Sequence, residues 1–482
     1  MSEFSNFLEK TKNANVVPVV ETMAADLLTP LSVYLKLSAG STNSFLLESV
    51  EGGKSIARYS FIGADPDSVL RSSESESPSG TFAFLKKHFS ERKASTDPDL
   101  PSFIGGAIGF LGFACSEWFE QSLKPQNSQN SDHDDAAFMF FRSIVAFDHA
   151  KQIIKIISLV FTDEAHDENT LHGLYNGAAK QNKQIRNKLE HFDLIVPKDG
   201  EATNSDVTSN WKRSDFESAV SQIKELIAAG ECYQVVLSQC FTKQTTASSV
   251  SIYRAIRSLN PSPYMFLLNF DGKAIVGASP EMLVRCENGR LEYRPIAGTR
   301  QRGKDSFEDD ALAEEMRRDK KEVAEHLMLV DLGRNDLGRV GEYGSVNVDM
   351  LMSVEKYSHV QHLVSSLSAK LKNGLDRFDA LAACFPAGTV SGAPKVRAIE
   401  IIRHLEPMQR GVYAGAVGYF DYSGNMDTCI AIRTLVLENG VAKIQAGAGI
   451  VTDSVPELEF EETVNKAKVL LRAVEIAEGG EV

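Results

Sequence analysis

The chain has 482 residues, 43% of them hydrophobic, which is ample for a sizeable core, and its formal net charge of −14 argues against nucleic acid or an anionic membrane surface as a partner. The most apolar stretch, FIGGAIGFLGFAC, is glycine-rich and too short to span a bilayer, and the opening MSEFSNFLEKTKN lacks the apolar segment of a secretory signal. The six scattered cysteines form no C-x-x-C pair, so a reduced, cytoplasmic protein is expected.

In chain order, the polar segments SSESESPSG, ERKASTDPDLPS, QSLKPQNSQNSDHDD and PKDGEATNSDVTSN read as loops. The last, near Gly200, divides an N-terminal region (1–200) from a C-terminal one (201–482). Before it, FMFFRSIVAFDHAKQIIKIISLVF reads as two strands joined by a polar turn. After it, Ser214 and Glu217 form an S-x-x-E capping box in front of a helix that carries Phe216, Val220, Ile223 and Ile227 on one face and ends at Gly230. YQVVLSQCF reads as a strand, and two hairpins follow, turning at Asp271-Gly272 and Asn288-Gly289. A long charged helix is expected from about Ser306 to Asp331. In FPAGTVSGAPKVRAI (385–399), Gly388, Gly392 and Ala393 let backbone approach a ligand, Pro394 suits a helix start, and the free N–H groups of that start attract anions. GVYAGAVGYF, MDTCIAIRTLVLE and VAKIQAGAGIV then form a meander, and a helix from Pro456 closes the chain. Hairpins outnumber βαβ units, so the fold class is α+β, with mainly antiparallel sheets and helices outside.

Certain side chains invite chemistry. Glu322 and Glu325 share a face of the charged helix, and Glu459 and Glu462 share a face of the last one. Two carboxylate pairs suit Mg2+, which takes oxygen ligands, although E-x-x-E also occurs on ordinary solvated helix faces. His359 and His362 are rival proton carriers or structural residues. Glu281 is either a surface carboxylate after Pro280 or a buried acid. Arg433 has the apolar neighbours Ile430, Ile432 and Leu435, which weakens its reading as a surface charge.

RPIAGTRQRG, DKKEVAEHLMLVDLGRNDLGRV, YSHVQHLVSSL, the 385–399 segment, VYAGAVGYF, MDTCIAIRT and QAGAGIVTDSVPELEFEETVNKA follow one another in that order. Together they resemble the chorismate-utilising enzymes, most closely the large subunits of anthranilate synthases, densely from Ser214 to Ala473. The resemblance implies two large sheets packed face to face, with N-terminal strands completing the larger one. It implies Mg2+ held by Glu322, Glu325, Glu459 and Glu462, bridging to the ring carboxylate of chorismate. Arg433 and Lys466 would take the second carboxylate, and Gly298, Thr299, Thr389, Tyr413, Gly447 and Gly449 would line the pocket. His362, in the pattern H-[LIM]-V-S, would assist loss of pyruvate, and Glu281 would protonate the departing ring hydroxyl. Water-adding relatives carry a Lys where this chain has Gln234, and many aminodeoxychorismate synthases carry a Lys where it has Ala297. Both differences point to ammonia as the nucleophile and anthranilate with pyruvate as products. No glutaminase nucleophile motif accompanies them, so ammonia would come from a separate glutamine amidotransferase subunit in a hetero-oligomer, or from free ammonium. Leu47, Glu48, Ser49, Pro263, Tyr264 and Met265 resemble a tryptophan feedback site. The rivals are an aminodeoxychorismate synthase, an isochorismate or salicylate synthase, and a non-catalytic amino-acid-binding regulator.

Overall fold

The Asp-Gly and Asn-Gly pairs fold back as their composition requires. Asp271 and Gly272 sit at φ 26° and 89°, and Asn288 and Gly289 at 51° and 76°. They join strands Tyr264–Phe270 to Lys273–Ser279 and Met282–Glu287 to Arg290–Tyr293. In the computed structural model, which describes residues 3–49, 58–74, 79–123, 134–201, 203, 205–357 and 360–479, these hairpins belong to two different antiparallel sheets. One sheet has 12 strands and the other 10.

Strands from the N-terminal half enter both sheets. Val16–Ala24, Asn43–Glu48, Tyr59–Ala64, Ser143–Asp148 and Ile153–Phe161 pair into the larger, whereas Ser68–Arg71, Gly106–Leu111 and Ala136–Phe141 pair into the smaller. The N-terminal strands thus complete the larger sheet as expected, and they add strands to the smaller one as well. Residues 136–161 likewise form three strands, not two, because the chain changes sheets at Arg142.

The sheets pack through aromatic side chains. Phe61 of the larger meets Tyr419 of the smaller at a ring separation of 5.9 Å, and Phe110 of the smaller meets Phe270 of the larger at 5.8 Å. Such edge-on pairs add to the burial of large apolar area. A second core on the outer face of the larger sheet holds Val33, Tyr34, Ile252, Tyr253, Ile256, Leu470 and Val474. These come from helices Pro30–Ser38, Ser249–Leu259 and Pro456–Ala477, which places helices outside the sheets.

Two local expectations fail for identifiable reasons. The capping box at Ser214 does not form: the helix runs Arg213–Ala228, Ser214 Oγ donates to the Asp215 side chain, and Glu217 pairs with Arg213 at 2.7 Å. The charged helix is two helices, Ser306–Arg318 and Lys320–Val340. Asp319 ends the first, and its carboxylate accepts from the Lys321 and Glu322 backbone N–H groups to start the second. That break sets the direction in which Glu322 and Glu325 project. No helix of the described residues is long and apolar enough to cross a membrane.

Candidate active site

The chain crosses between the sheets at Ser279–Met282 and again at Ile430–Thr434, and the crossings are stitched together. Ser279 Oγ donates to Ile430 O (2.7 Å), Ile430 N to Glu281 O (3.0 Å) and Ala278 N to Arg433 O (3.1 Å). Arg433 takes φ 51°, an uncommon conformation for a side-chain-bearing residue and one that tends to accompany function. Each crossing thus delivers one ionisable side chain between the sheets. The Glu281 carboxyl is buried, and burial pushes it up from 4.5 to about 8. Nearby Thr389 works weakly in the opposite direction. Thr389 Oγ1 nonetheless meets no partner at hydrogen-bond geometry; it is a buried hydroxyl with its bonding capacity unspent.

The last helix lies against the Arg433 crossing, where Glu462 acts on Arg433, and Glu325 of the helix Lys320–Val340 lies within range of Glu462. Burial raises the Glu325 carboxyl, and the charges of Glu322 and Glu462 raise it further. Burial also raises Glu459, with Glu462 adding to it and the Ser454 hydroxyl opposing. Carboxylates of both pairs therefore act on one another across a shared space, as like charges at short range must. Two basic side chains relieve part of that repulsion: Arg300 Nη1 lies 2.9 Å from Glu322 Oε1, and Lys466 Nζ lies 2.6 Å from Glu462 Oε1. Among the described residues, no three His, Cys, Asp or Glu side chains converge into a preformed ion cage.

The remaining predicted residues fall around the same space. Thr299 is directly opposite His362 in neighbouring strands, with Thr299 Oγ1 3.0 Å from His362 Nδ1. His362 Nδ1 is also 3.0 Å from Gly298 O, which only accepts, so the proton resides on Nδ1 and Nε2 is left as the basic nitrogen. Burial holds His362 below its ordinary value and Arg433 pushes the same way, against the Gly298 hydrogen bond. Gly298 sits at φ 63°, where a Cβ would lie 3.1 Å from Glu322 Oε2. Lys466 Nζ donates to Gly447 O (2.9 Å), and Arg433 Nη1 to Lys466 O (3.1 Å). A Cβ on Gly447 would meet Tyr413 Oη at 2.7 Å, and one on Gly449 would meet Gln234 Nε2 at 2.5 Å. Gly447, which Leu237 O also approaches at 3.1 Å, leaves no room for a side chain, whereas at Gly449 only the end of the Gln234 side chain would have to move. Gln234 Oε1, like Thr389 Oγ1, is buried without a partner. His359 lies outside the described residues. Sequence reading missed Arg300, although its place directly after Gly298 and Thr299 was a usable signal.

The six residues of the second predicted site also meet. Leu47, Glu48, Ser49, Pro263, Tyr264 and Met265 line one cavity of about 520 Å³, closed on the other side by Val417, Tyr419 and Asp427 of the smaller sheet. Tyr253 Oη donates to the Glu48 carboxylate, and Arg257 Nε lies 3.3 Å from it. Tyr264 Oη donates to Asp427 Oδ1 (3.1 Å), whose other oxygen is 2.9 Å from Arg285 Nη2. Ser49 Oγ is buried and unpaired. Cys429 lines this cavity and precedes Ile430 of the crossing, so the two sites are neighbours along one strand.

The chain matches known proteins over nearly its whole length. Residues 42–472 match the family model described as chorismate binding enzyme. The chain is 43% identical to anthranilate synthase component 1 of Acetivibrio thermocellus, over 98% of this chain and 97% of that one. It is 44% identical to the Pseudomonas putida protein of the same name, over 96% of each. The crystal structure of anthranilate synthase component I from Streptococcus pneumoniae superimposes with a TM-score of 0.75 at 36% identity, covering 93% of this chain and 99% of that one.

Proposed function

Because the chain belongs to the chorismate-binding enzyme family, we propose that it is the chorismate-consuming large subunit of an anthranilate synthase. The net reaction takes chorismate and ammonia to anthranilate, pyruvate and water. What supports this reading is the meeting of two acidic helices, where Glu325 and Glu462 act on one another beside Arg433 and His362, together with the buried Glu281 carboxyl. Residues 201–482 supply this chemistry, and residues 1–200 supply strands to both sheets and part of the second cavity.

Glu322, Glu325, Glu459 and Glu462 would hold Mg2+. Their oxygen donors fit that ion, and their mutual repulsion is what a divalent cation neutralises. When bound, the ion supplies charge compensation and Lewis acidity for the ring carboxylate of chorismate. The Arg433 fork and Lys466 bind the second carboxylate, while Thr389, Tyr413 and the Gly298–Thr299 backbone fix the ring. Ammonia adds at C2 as the C4 hydroxyl leaves, and Glu281 gives that hydroxyl the proton it needs to depart as water. Gln234 is a neutral amide that orients ammonia without activating water. Neutral His362 then takes the C2 proton through Nε2. The C3–O bond breaks, and the released enolpyruvate gains a proton to become pyruvate. His362→Ala is expected to cut anthranilate formation about 10²–10⁴-fold, with the aminated, pyruvate-bearing intermediate accumulating on chromatography. Anthranilate at the parental rate would remove this role.

Ammonia is delivered by a glutamine amidotransferase subunit, giving a hetero-oligomer. All six cysteines are buried, with burial raising every thiol, so none offers the exposed thiolate that glutamine hydrolysis requires. Buried thiols without disulfides also suit a cytoplasmic enzyme.

The second cavity binds tryptophan as a feedback inhibitor. Glu48 and Ser49 take the amino group, and Tyr264 and Met265 frame the indole. Glu48→Gln is expected to weaken tryptophan inhibition roughly tenfold while the uninhibited rate stays within about twofold, because the charge-assisted hydrogen bond that is lost is made to the inhibitor and not to chorismate. A rate unresponsive to tryptophan in the parent chain rejects the site.

The test of the reaction itself is incubation of the chain with chorismate, Mg2+ and ammonium and identification of the product. Anthranilate fluorescence with equimolar pyruvate supports the proposal. An aminated product that keeps its pyruvate, or isochorismate, refutes it.

A further inference from the structure

We propose that Arg410, locked to Glu406, is a positioning residue that sets the spacing between the Thr389 turn and the wall formed by Gln234, Gly447 and Gly449. The inference rests on the reading of that cleft as the chorismate site. Arg410 and Glu406 are buried, with side chains 1% and 4% exposed. Arg410 grips Glu406 as a fork, Nε to Oε2 at 2.9 Å and Nη2 to Oε1 at 2.6 Å. Its other donors go to backbone: Nη1 to Val390 O (2.8 Å) and Nη2 to Val236 O (2.6 Å). Glu406 Oε1 also accepts from the N and Oγ of Ser238, both at 2.8 Å.

The addresses of these bonds carry the argument. Val390 follows Thr389, whose hydroxyl is buried and unpaired. Val236 and Ser238 lie opposite Gly449 and Gly447 in the neighbouring strand, and Gln234 precedes them on their own. One ion pair therefore ties the Thr389 turn to the strand that carries Gln234 and pairs with Gly447 and Gly449, by four hydrogen bonds to the backbone or hydroxyl groups of three residues and by its own fork. The guanidinium is held in place by the Phe113 ring at 4.6 Å. A lysine could keep the charge but not the fork or both carbonyl bonds. Arg410 touches none of the reacting atoms; it acts through the groups it holds.

The experiment is a double-mutant cycle between Arg410→Lys and Thr389→Ala, read as KM and kcat for chorismate, with circular dichroism and thermal melting confirming the fold of each variant. Arg410→Lys is expected to raise KM about tenfold. In the Thr389→Ala background that effect shrinks to about threefold or less, because the main group it positions is gone. An unchanged KM, or effects that multiply independently, overturns the proposal. Should Arg410→Lys fail to fold, Glu406→Gln, which keeps an acceptor for Ser238 and weakens the fork, carries the same cycle with the same two outcomes. A parent chain that does not turn over chorismate indicts the reading of the cleft; an active parent with an indifferent Arg410→Lys indicts only this inference.

Discussion

Glu281→Gln lowers kcat for anthranilate formation by about 10²–10⁴-fold, the span by which a positioned general acid accelerates departure of a poor leaving group. Hydroxide leaves badly, and Gln fills the same space without a proton to give. The pH profile of the parent chain adds a second expectation. Burial raises Glu281 from 4.5 to about 8, so its acid form persists through neutrality, and kcat/KM falls above about pH 8 as one proton is lost. Stability carries the same signature. Below pH 4.5 the carboxyl is protonated whether the chain is folded or not, and this group's contribution to folding is fully present. As pH rises toward 8, the unfolded chain releases the proton that the folded chain retains, and that contribution is progressively lost. At pH 9 the folded parent holds an unpaired buried carboxylate, and Glu281→Gln melts at a higher temperature than the parent, by an amount corresponding to a few kcal/mol. An inactive variant that is more stable in alkali separates a catalytic acid from a structural side chain. Equal activity and equal stability at pH 9 would remove Glu281 from the mechanism.

Metal removal has the other large effect. Dialysis against a strong chelator is expected to reduce turnover by about 10²-fold or more, since a cation facing a bound carboxylate contributes several kcal/mol, and Mg2+ restores it. Glu325→Gln and Glu459→Gln each raise the Mg2+ concentration for half-maximal rate by at least about tenfold, because even loss of an outer-shell partner commonly costs that much. A direct readout is proton release. Both carboxyls are held above their ordinary range by burial and neighbouring carboxylates, so Mg2+ uptake in weakly acidic buffer expels protons, and apparent affinity weakens as pH falls. Arg300 and Lys466 pair with Glu322 and Glu462, and Mg2+ uptake is expected to loosen those contacts. Undiminished turnover after exhaustive chelation would contradict the assignment.

Much of this was legible in the sequence, for physical reasons that differ from place to place. Asp271-Gly272 and Asn288-Gly289 announce their hairpins because few other residues tolerate positive φ at both turn positions. The spacing of Glu322 with Glu325 and Glu459 with Glu462 fixes that each pair shares a helical face. That the two pairs face one another is a long-range fact, carried by the resemblance rather than by periodicity. The break at Asp319 was hidden because Asp is compatible with a charged helix, and only its bonds to the Lys321 and Glu322 N–H groups reveal a cap. At Ser214 the reverse occurred: the right letters for a capping box lost to an Arg213–Glu217 ion pair. The two sheet crossings beside Glu281 and Arg433 carry no letters that say which sheet the next strand joins, since that is set by pairing with strands far away in the sequence. Arg410 was invisible for the same reason, as its partners Val236 and Val390 are 174 and 20 residues away.

The most direct measurement is a calorimetric titration of Mg2+ into the Glu281→Gln chain, which binds substrate without consuming it, with and without saturating chorismate. The account predicts one Mg2+ per chain, bound at least about tenfold more tightly when chorismate is present, with chorismate gaining the same factor from Mg2+. A Mg2+ affinity indifferent to chorismate would show that the acidic helices and the substrate do not share a site.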